Sequence, residues 1–127
     1  MKQVYLAGPI QGVKDPYTWR RNVENQLPKE WEAVTPLKVE ANIDDSDARL
    51  LVETDLGAID NCHAVLALID QPSWGTAMEI FYAFTMGTPV IGWHPVLRVV
   101  DMSPWLRAHC SILISDFKSI NNYLEKI

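Results

Sequence analysis

Short apolar runs alternate with helix-patterned segments along the chain, and this alternation limits the fold more than any other feature. "HAVLALI", His63 to Ile69, is apolar at almost every position. A strand with no polar side needs cover on both faces, as in the centre of a parallel sheet. "KQVYLAGPI", a strand with its exit loop ending in Gly8-Pro9, and "PVIGW" are similar runs, "WEAVTPL" is a short strand closed by Pro36, and "SILI" is a short last one. Parallel neighbours require crossover connections, which the intervening helices supply. The pattern predicts an α/β fold: a flavodoxin-like, doubly wound, mostly parallel five-stranded sheet with helices on both faces. With 127 residues the chain can bury a real core, and we expect residues 1–127 to form a single domain.

The helices carry boundary signals. In "DPYTWRRNVENQL", Asp15 is a candidate N-cap and Pro16 fits the first helical position. Trp19, Val23 and Leu27 then face the core, while Arg20 is read as solvated. "KVEANIDDSDAR" reads as a polar surface loop. Ser46 or Asp47 caps a helix to about Asn61, with Leu50, Leu51, Leu56 and Ile59 as core contacts. Another helix runs from about Gly75 to Met86, closed by Gly87 as its C′ residue and by Pro89. Asp116 caps the last helix.

Charge and length exclude several roles. A net charge of −5 argues against a nucleic-acid polymer or an anionic membrane as partner, since both reward basic surfaces. No apolar stretch approaches the roughly 18 residues of a membrane span. Cys62 and Cys110 lie outside any zinc-type spacing and are expected to be reduced core residues in a cytoplasmic protein.

Doubly wound sheets bind ligands beyond the carboxyl ends of their strands. The loops Gly8 to Asp15, Asp70 to Gly75 and Trp93 to Pro104 are therefore the candidate site. "PSWGTAMEIFYAF" holds a single carboxylate, Glu79, among apolar neighbours. Glu79 either faces water, or suits the dipole of a first helical turn, or is held in a pocket. Asp55 in "VETDLGAIDNC" lies beside an apolar face of Val52, Leu56 and Ile59, whereas Glu53 and Asp60 face solvent. It is either a surface residue or one half of a carboxylate pair. Such pairs can divide acid and nucleophile roles. Tyr5 alternates to the face opposite Val4 and Leu6. It either fills core or orients a carboxylate.

"YLAGPI", "DLGAIDNCHAVLAL" and "PSWGTAMEIFYA", in that order, resemble the nucleoside 2-deoxyribosyltransferase family, which includes the 2′-deoxynucleoside 5′-monophosphate N-glycosidases. The resemblance runs from Val4 to about Gly92 and more weakly through "SPWLRAHC". It implies that Glu79 attacks C1′ of a deoxyribose, that Asp55 moves the proton of the base, and that Tyr5 holds Glu79. It implies a retaining, two-step transfer of the sugar to another nucleobase, without metal or organic cofactor. The implied partners are a nucleoside or nucleotide, a free nucleobase, and a second copy of the chain in a homodimer or larger homo-oligomer.

Gly8, Pro9, Ile10, Ser73, Trp74, Gly75, Met78 and Trp93 are the substrate-binding candidates. Trp74 and Trp93 are proposed to stack on a base and Arg20 either reaches a base edge or is solvated, while Trp19 is read as core and Trp31 as a structural anchor. Ser73 is either a helix cap or a phosphate ligand. The latter would make the chain a hydrolase of (deoxy)nucleoside 5′-monophosphates. Against that alternative, Pro9 and Gln11 stand where the resembled monophosphate enzymes carry serine and arginine. Arg98, Arg107 and His109 would then have to supply the missing donors. A non-catalytic nucleotide-binding domain is the reading from another class.

Overall fold

Alternation along each strand sends neighbouring side chains into two separate cores. The structure, a computed structural model, describes residues 1–127. Its strands are β1 (Lys2–Ala7), β2 (Trp31–Val34), β3 (Ala64–Leu68), β4 (Val90–Trp93) and β5 (Ile112–Ile114). Its helices are α1 (Thr18–Gln26), α2 (Pro36–Val39), α3 (Ala48–Asp60), α4 (Trp74–Thr85), α5 (Pro104–Ala108) and α6 (Phe117–Leu124). The sheet order is β2-β1-β3-β4-β5 and every neighbouring pair is parallel. This is the flavodoxin-like order, with its switch point between β1 and β3.

One core joins Val4, Leu6, Leu66 and Ile91 of the sheet to Val23 of α1 and Ile120 and Leu124 of α6. The other joins Tyr5, Ala7, Val65 and Ala67 to Ile59 of α3 and Ile80 and Ala83 of α4. β3 is buried at every position, as its unbroken apolar run requires.

Local chemistry sets the helix ends. Ser73 caps α4, and Gly87 adopts a φ of 83° beyond its other end. The N–H groups of Gly87 and Thr88 return to the carbonyls of Phe84 and Ala83, which is a Schellman closure. Asp116 caps α6 by accepting from the N–H of Ser119 at 3.0 Å. No helix is long and apolar enough to cross a membrane.

Three expectations are corrected. α1 begins at Thr18, with Pro16 buried ahead of it. Asp15 accepts from the N–H groups of Tyr17 and Thr18, at 2.9 and 3.1 Å, in the turn ahead of the helix. The acidic segment after β2 is not all loop. Buried Thr35 accepts from the N–H of Leu37 at 3.2 Å and Pro36 takes the first helical position, so a short helix forms. Finally, Leu50 and Val52 of α3 are exposed, at 43% and 54%. That helix meets the sheet only through its second half, where Ile59 is buried.

Gly8 shows how tightly the β1 exit loop is packed. A Cβ there would stand 2.5 Å from Cζ2 of Trp19. Gly8→Ala should therefore lower stability by about 1–3 kcal/mol, as overpacking does. Denaturant unfolding measures this, and an unchanged midpoint would show that Trp19 moves freely.

Candidate active site

The middle of β1 and the inner face of α4 meet at the site. Thr76, Ile80 and Ala83 of α4 are buried against the sheet. Glu79 is on the same helical face, so the lone carboxylate of the apolar run is turned inward. With Ser73 as N-cap, Glu79 falls in the second helical turn. The first-turn dipole reading is therefore corrected, because that field fades beyond the first turn.

Glu79 meets Tyr5, whose hydroxyl donates a hydrogen bond to Glu79 Oε2. Tyr5 is fully buried. Burial, and then the charge of Glu79, push its hydroxyl far above the ordinary phenol range, so it stays a donor. Burial pushes Glu79 up to about 7. The hydrogen bond from Tyr5 and the positive charge of Arg20 oppose that rise.

Asp55 approaches from α3 and is half-buried. Its Oδ1 is buried and has no hydrogen-bond partner. Burial, then a contact with the Glu40 carboxyl, then the charges of Glu40 and Glu79, push Asp55 up to about 9. Near neutral pH the two acids therefore differ. Asp55 keeps its proton, while Glu79 is partly ionised. That is the arrangement needed by an acid and a nucleophile acting together.

Two residues of this site escaped the sequence reading. Arg20, expected in solvent, is only 1% exposed. It donates to the carbonyls of Leu6 at 3.3 Å, Pro16 at 2.8 Å and Gly8 at 3.0 Å, and so clamps the β1 exit loop. Its guanidinium also lies 4.5 Å from the centre of the Trp19 ring. The signal was available, since Arg20, Val23 and Leu27 recur at helical spacing. Glu40 was assigned to a surface loop. The Thr35-Pro36 capping pair was the local sign of the short helix that ends at it, with Glu40 as C-cap. Neither Arg20 nor any other cation forms an ion pair with these acids. The ion pairs present are Lys38–Glu24 and Arg98–Asp101. No group of three His, Cys, Asp or Glu side chains is arranged to hold a metal ion.

The remaining candidates divide. Gly8 and Pro9 are buried and Ile10 is half-buried, in the loop clamped by Arg20. Ser73 accepts from the N–H of Thr76 at 3.4 Å and shares a hydrogen bond with its hydroxyl at 2.9 Å. Trp74 and Met78, at 87% and 70% exposure, lie on the open side of α4 with Gly75. Trp93 goes to the other face of the sheet, against Trp19 and Phe117, and donates to the Ser115 carbonyl at 3.3 Å. The structure does not bring it to Glu79. Trp19 and Trp31 pack in or against that same core, as expected. Arg98 is held by Asp101, and His109 is packed among Phe81, Phe84 and Trp105.

Tyr5→Phe removes the one hydrogen bond that lowers the Glu79 titration. The Glu79 carboxyl carbon, followed by NMR, should then titrate above its wild-type value of about 7. A titration that stays in place would show that the Tyr5 hydroxyl does not hold this acid.

The sequence of residues 4–124 matches the family model described as nucleoside 2-deoxyribosyltransferase. No curated protein sequence matches the chain significantly. Among solved structures, a 2-deoxyribosyltransferase from Bacillus psychrosaccharolyticus superposes with a TM-score of 0.77 at 17% identity, over 95% of this chain and 91% of that one. A 2-desoxiribosyltransferase from Leishmania mexicana gives 0.73 at 19% identity, over 99% and 98%. A conserved protein from Enterococcus faecalis V583 gives 0.75 at 18% identity, over the same shares. At these identities the structures support the fold alone. The match over residues 4–124 carries the assignment, and by it the chain belongs to the nucleoside 2-deoxyribosyltransferase family of enzymes.

Proposed function

We propose that residues 1–127 act as one catalytic domain that moves a deoxyribosyl group between nucleobases through a covalent ester on Glu79. The observation that carries this reading is the unequal state of two neighbouring carboxyls. Glu79 is hydrogen-bonded by Tyr5 and lies near 7, while Asp55 lies near 9.

In the first step an ionised Glu79 oxygen bonds to C1′ as the C1′–N bond breaks. The bonding pair leaves with the base, and Asp55 gives that base its proton. In the second step a nitrogen of the incoming base attacks C1′. Glu79 departs as carboxylate and Asp55 takes up the acceptor's proton. Tyr5 keeps Glu79 aimed throughout. The two displacements retain configuration at C1′.

A nucleoside fits better than a 5′-monophosphate. Pro9 has no N–H to offer, and Arg20 is buried and gives three hydrogen bonds to backbone carbonyls. Arg98 is paired with Asp101, and Ser73 is engaged as a helix cap. Water in place of the second base would give hydrolysis, and free base would then appear without acceptor.

A second copy of the chain is proposed to cover the outer side of α4. Met78 and Phe81 of α4 and Trp105 of α5 line an apolar hollow there, with exposures of 70%, 49% and 73%. Exposed apolar surface of this kind marks an interaction face.

Chromatography of products from each deoxynucleoside, and separately each 5′-monophosphate, with and without a different free base, tests the reaction. A new nucleoside should form only with acceptor, and Glu79→Ala should form none. Asp55→Asn should lower kcat by about 10²- to 10⁴-fold, the usual size of a general-acid contribution. Base release from monophosphates alone would favour the hydrolase, and equal behaviour of wild type and Glu79→Ala would leave only a binding domain. The profile of kcat/KM should be bell-shaped. It rises as Glu79 ionises near 7 and falls as Asp55 loses its proton near 9. Phe81→Asp should convert the assembly to the 14.4 kDa chain in sedimentation, whereas a wild type already of that mass would refute the interface.

A further inference from the structure

β1 outruns the strand on its outer side. Its register with β2 ends at Tyr5 opposite Val34, whereas its register with β3 runs on to Ala7 opposite Ala67. Beyond Val34 the chain turns into α2 at its cap, Thr35. The backbone groups of a strand inside a sheet face its two neighbours in alternation. The Lys2 N–H donates to the Glu30 carbonyl on the β2 side, and the Gln3 carbonyl accepts from the His63 N–H on the β3 side. By that alternation Leu6 turns its carbonyl toward the place that β2 has left. Leu6 is fully buried, and a buried carbonyl needs a donor.

Arg20 supplies it. Nε donates to the Leu6 carbonyl at 3.3 Å, and Nη2 donates to the next carbonyl in step, that of Gly8, at 3.0 Å. One edge of a guanidinium thus stands in for the missing strand. Nη1 donates to the Pro16 carbonyl at 2.8 Å. Gly8 and Pro16 are the two ends of the β1 exit loop, so the same group ties the loop across its base. The loop has little else to hold it. Between residues 8 and 16 the backbone bonds to itself once, from the Val13 N–H to the Ile10 carbonyl at 3.2 Å. The base is buried at Gly8, Pro9 and Pro16, while Gln11, Gly12 and Lys14 at the tip are exposed. Trp19, with its ring centre 4.5 Å from the guanidinium, backs the clasp.

We propose that Arg20 is the positioning residue of this loop, and that by clasping its base it sets Gly8, Pro9 and Ile10 for the deoxynucleoside before the substrate arrives. The inference rests on the deoxyribosyl-transfer reading. A loop ordered in the free enzyme need not be ordered at the expense of binding energy. Without the clasp only a fraction of the molecules would hold the competent loop, and the apparent dissociation constant would rise by the inverse of that fraction. Saturating substrate selects the competent form, so kcat is largely kept.

Arg20→Lys keeps the positive charge and a long stem but loses the planar fork that reaches three carbonyls at once. The KM of the deoxynucleoside should rise about tenfold, as it would if the competent fraction fell to about one tenth, with kcat changed by less than about threefold. Amide hydrogen exchange without substrate should quicken at Ile10 to Val13 and stay unchanged in β3. If Glu79→Ala forms product as fast as the wild type, the transfer reading fails and the substrate named here falls with it. If Glu79→Ala is inactive but Arg20→Lys leaves KM in place, the positioning role alone is overturned. A loss confined to kcat would also overturn it and place Arg20 with the chemistry. Faster exchange spread evenly over the loop and β3 would make Arg20 a general support instead. In the wild type the Val13 N–H should be protected before any substrate is added. Exchange there at the rate of a free peptide would overturn the clasp even if the variant does not fold.

Discussion

The hydrogen bond from Tyr5 to Glu79 is the contact on which the site depends. It joins a strand inside the sheet to the helix that follows β3, and it exists because the parallel order sets β1 beside β3. α4, returning over the sheet, then lays its inner face across β1. Burying a carboxyl in such a place is unfavourable, and the raised affinity of Glu79 for a proton records that. The phenol donor and the nearby charge of Arg20 limit the rise. An acid held near neutrality in this way has lost much of its water yet ionises at working pH, as an attacking group requires.

Arg20 gives the site its rigidity. One guanidinium gathers the carbonyls of Leu6, Gly8 and Pro16, which lie at the end of β1 and along its exit loop. That loop borders the switch point where doubly wound sheets take their ligands. The positive charge of the same side chain also favours the ionised form of Glu79. α4 likewise has two duties: its inner face carries Glu79, while its outer face exposes Trp74, Met78 and Phe81. A partner chain seated on that outer face would sit one helix away from the Glu79 carboxylate.

Much of this was legible in the sequence because it depends on period and on caps. The unbroken run of β3 announced a central strand, and Asp116, Gly87 and Ser73 marked helix ends by local hydrogen bonding. Other features depend on what lies across space. Nothing local says that the polar stretch after β2 folds back on α3, so Glu40 looked like a solvated loop acid. Leu50 and Val52 looked like core because helical spacing cannot show where the sheet beneath α3 stops. Trp93 was misplaced although strand parity held the answer. Ile91 and Trp93 point to one side of β4, away from the face of Tyr5.

The central claim is that Glu79 forms a bond to C1′. Rapid acid quenching of the enzyme with a deoxynucleoside and no acceptor base, followed by peptide mass spectrometry, tests it most directly. The account predicts a mass gain of one deoxyribosyl unit on the peptide containing Glu79, discharged when free base is added before the quench. A sugar found on another residue, or base release with no adduct on any peptide, would contradict it.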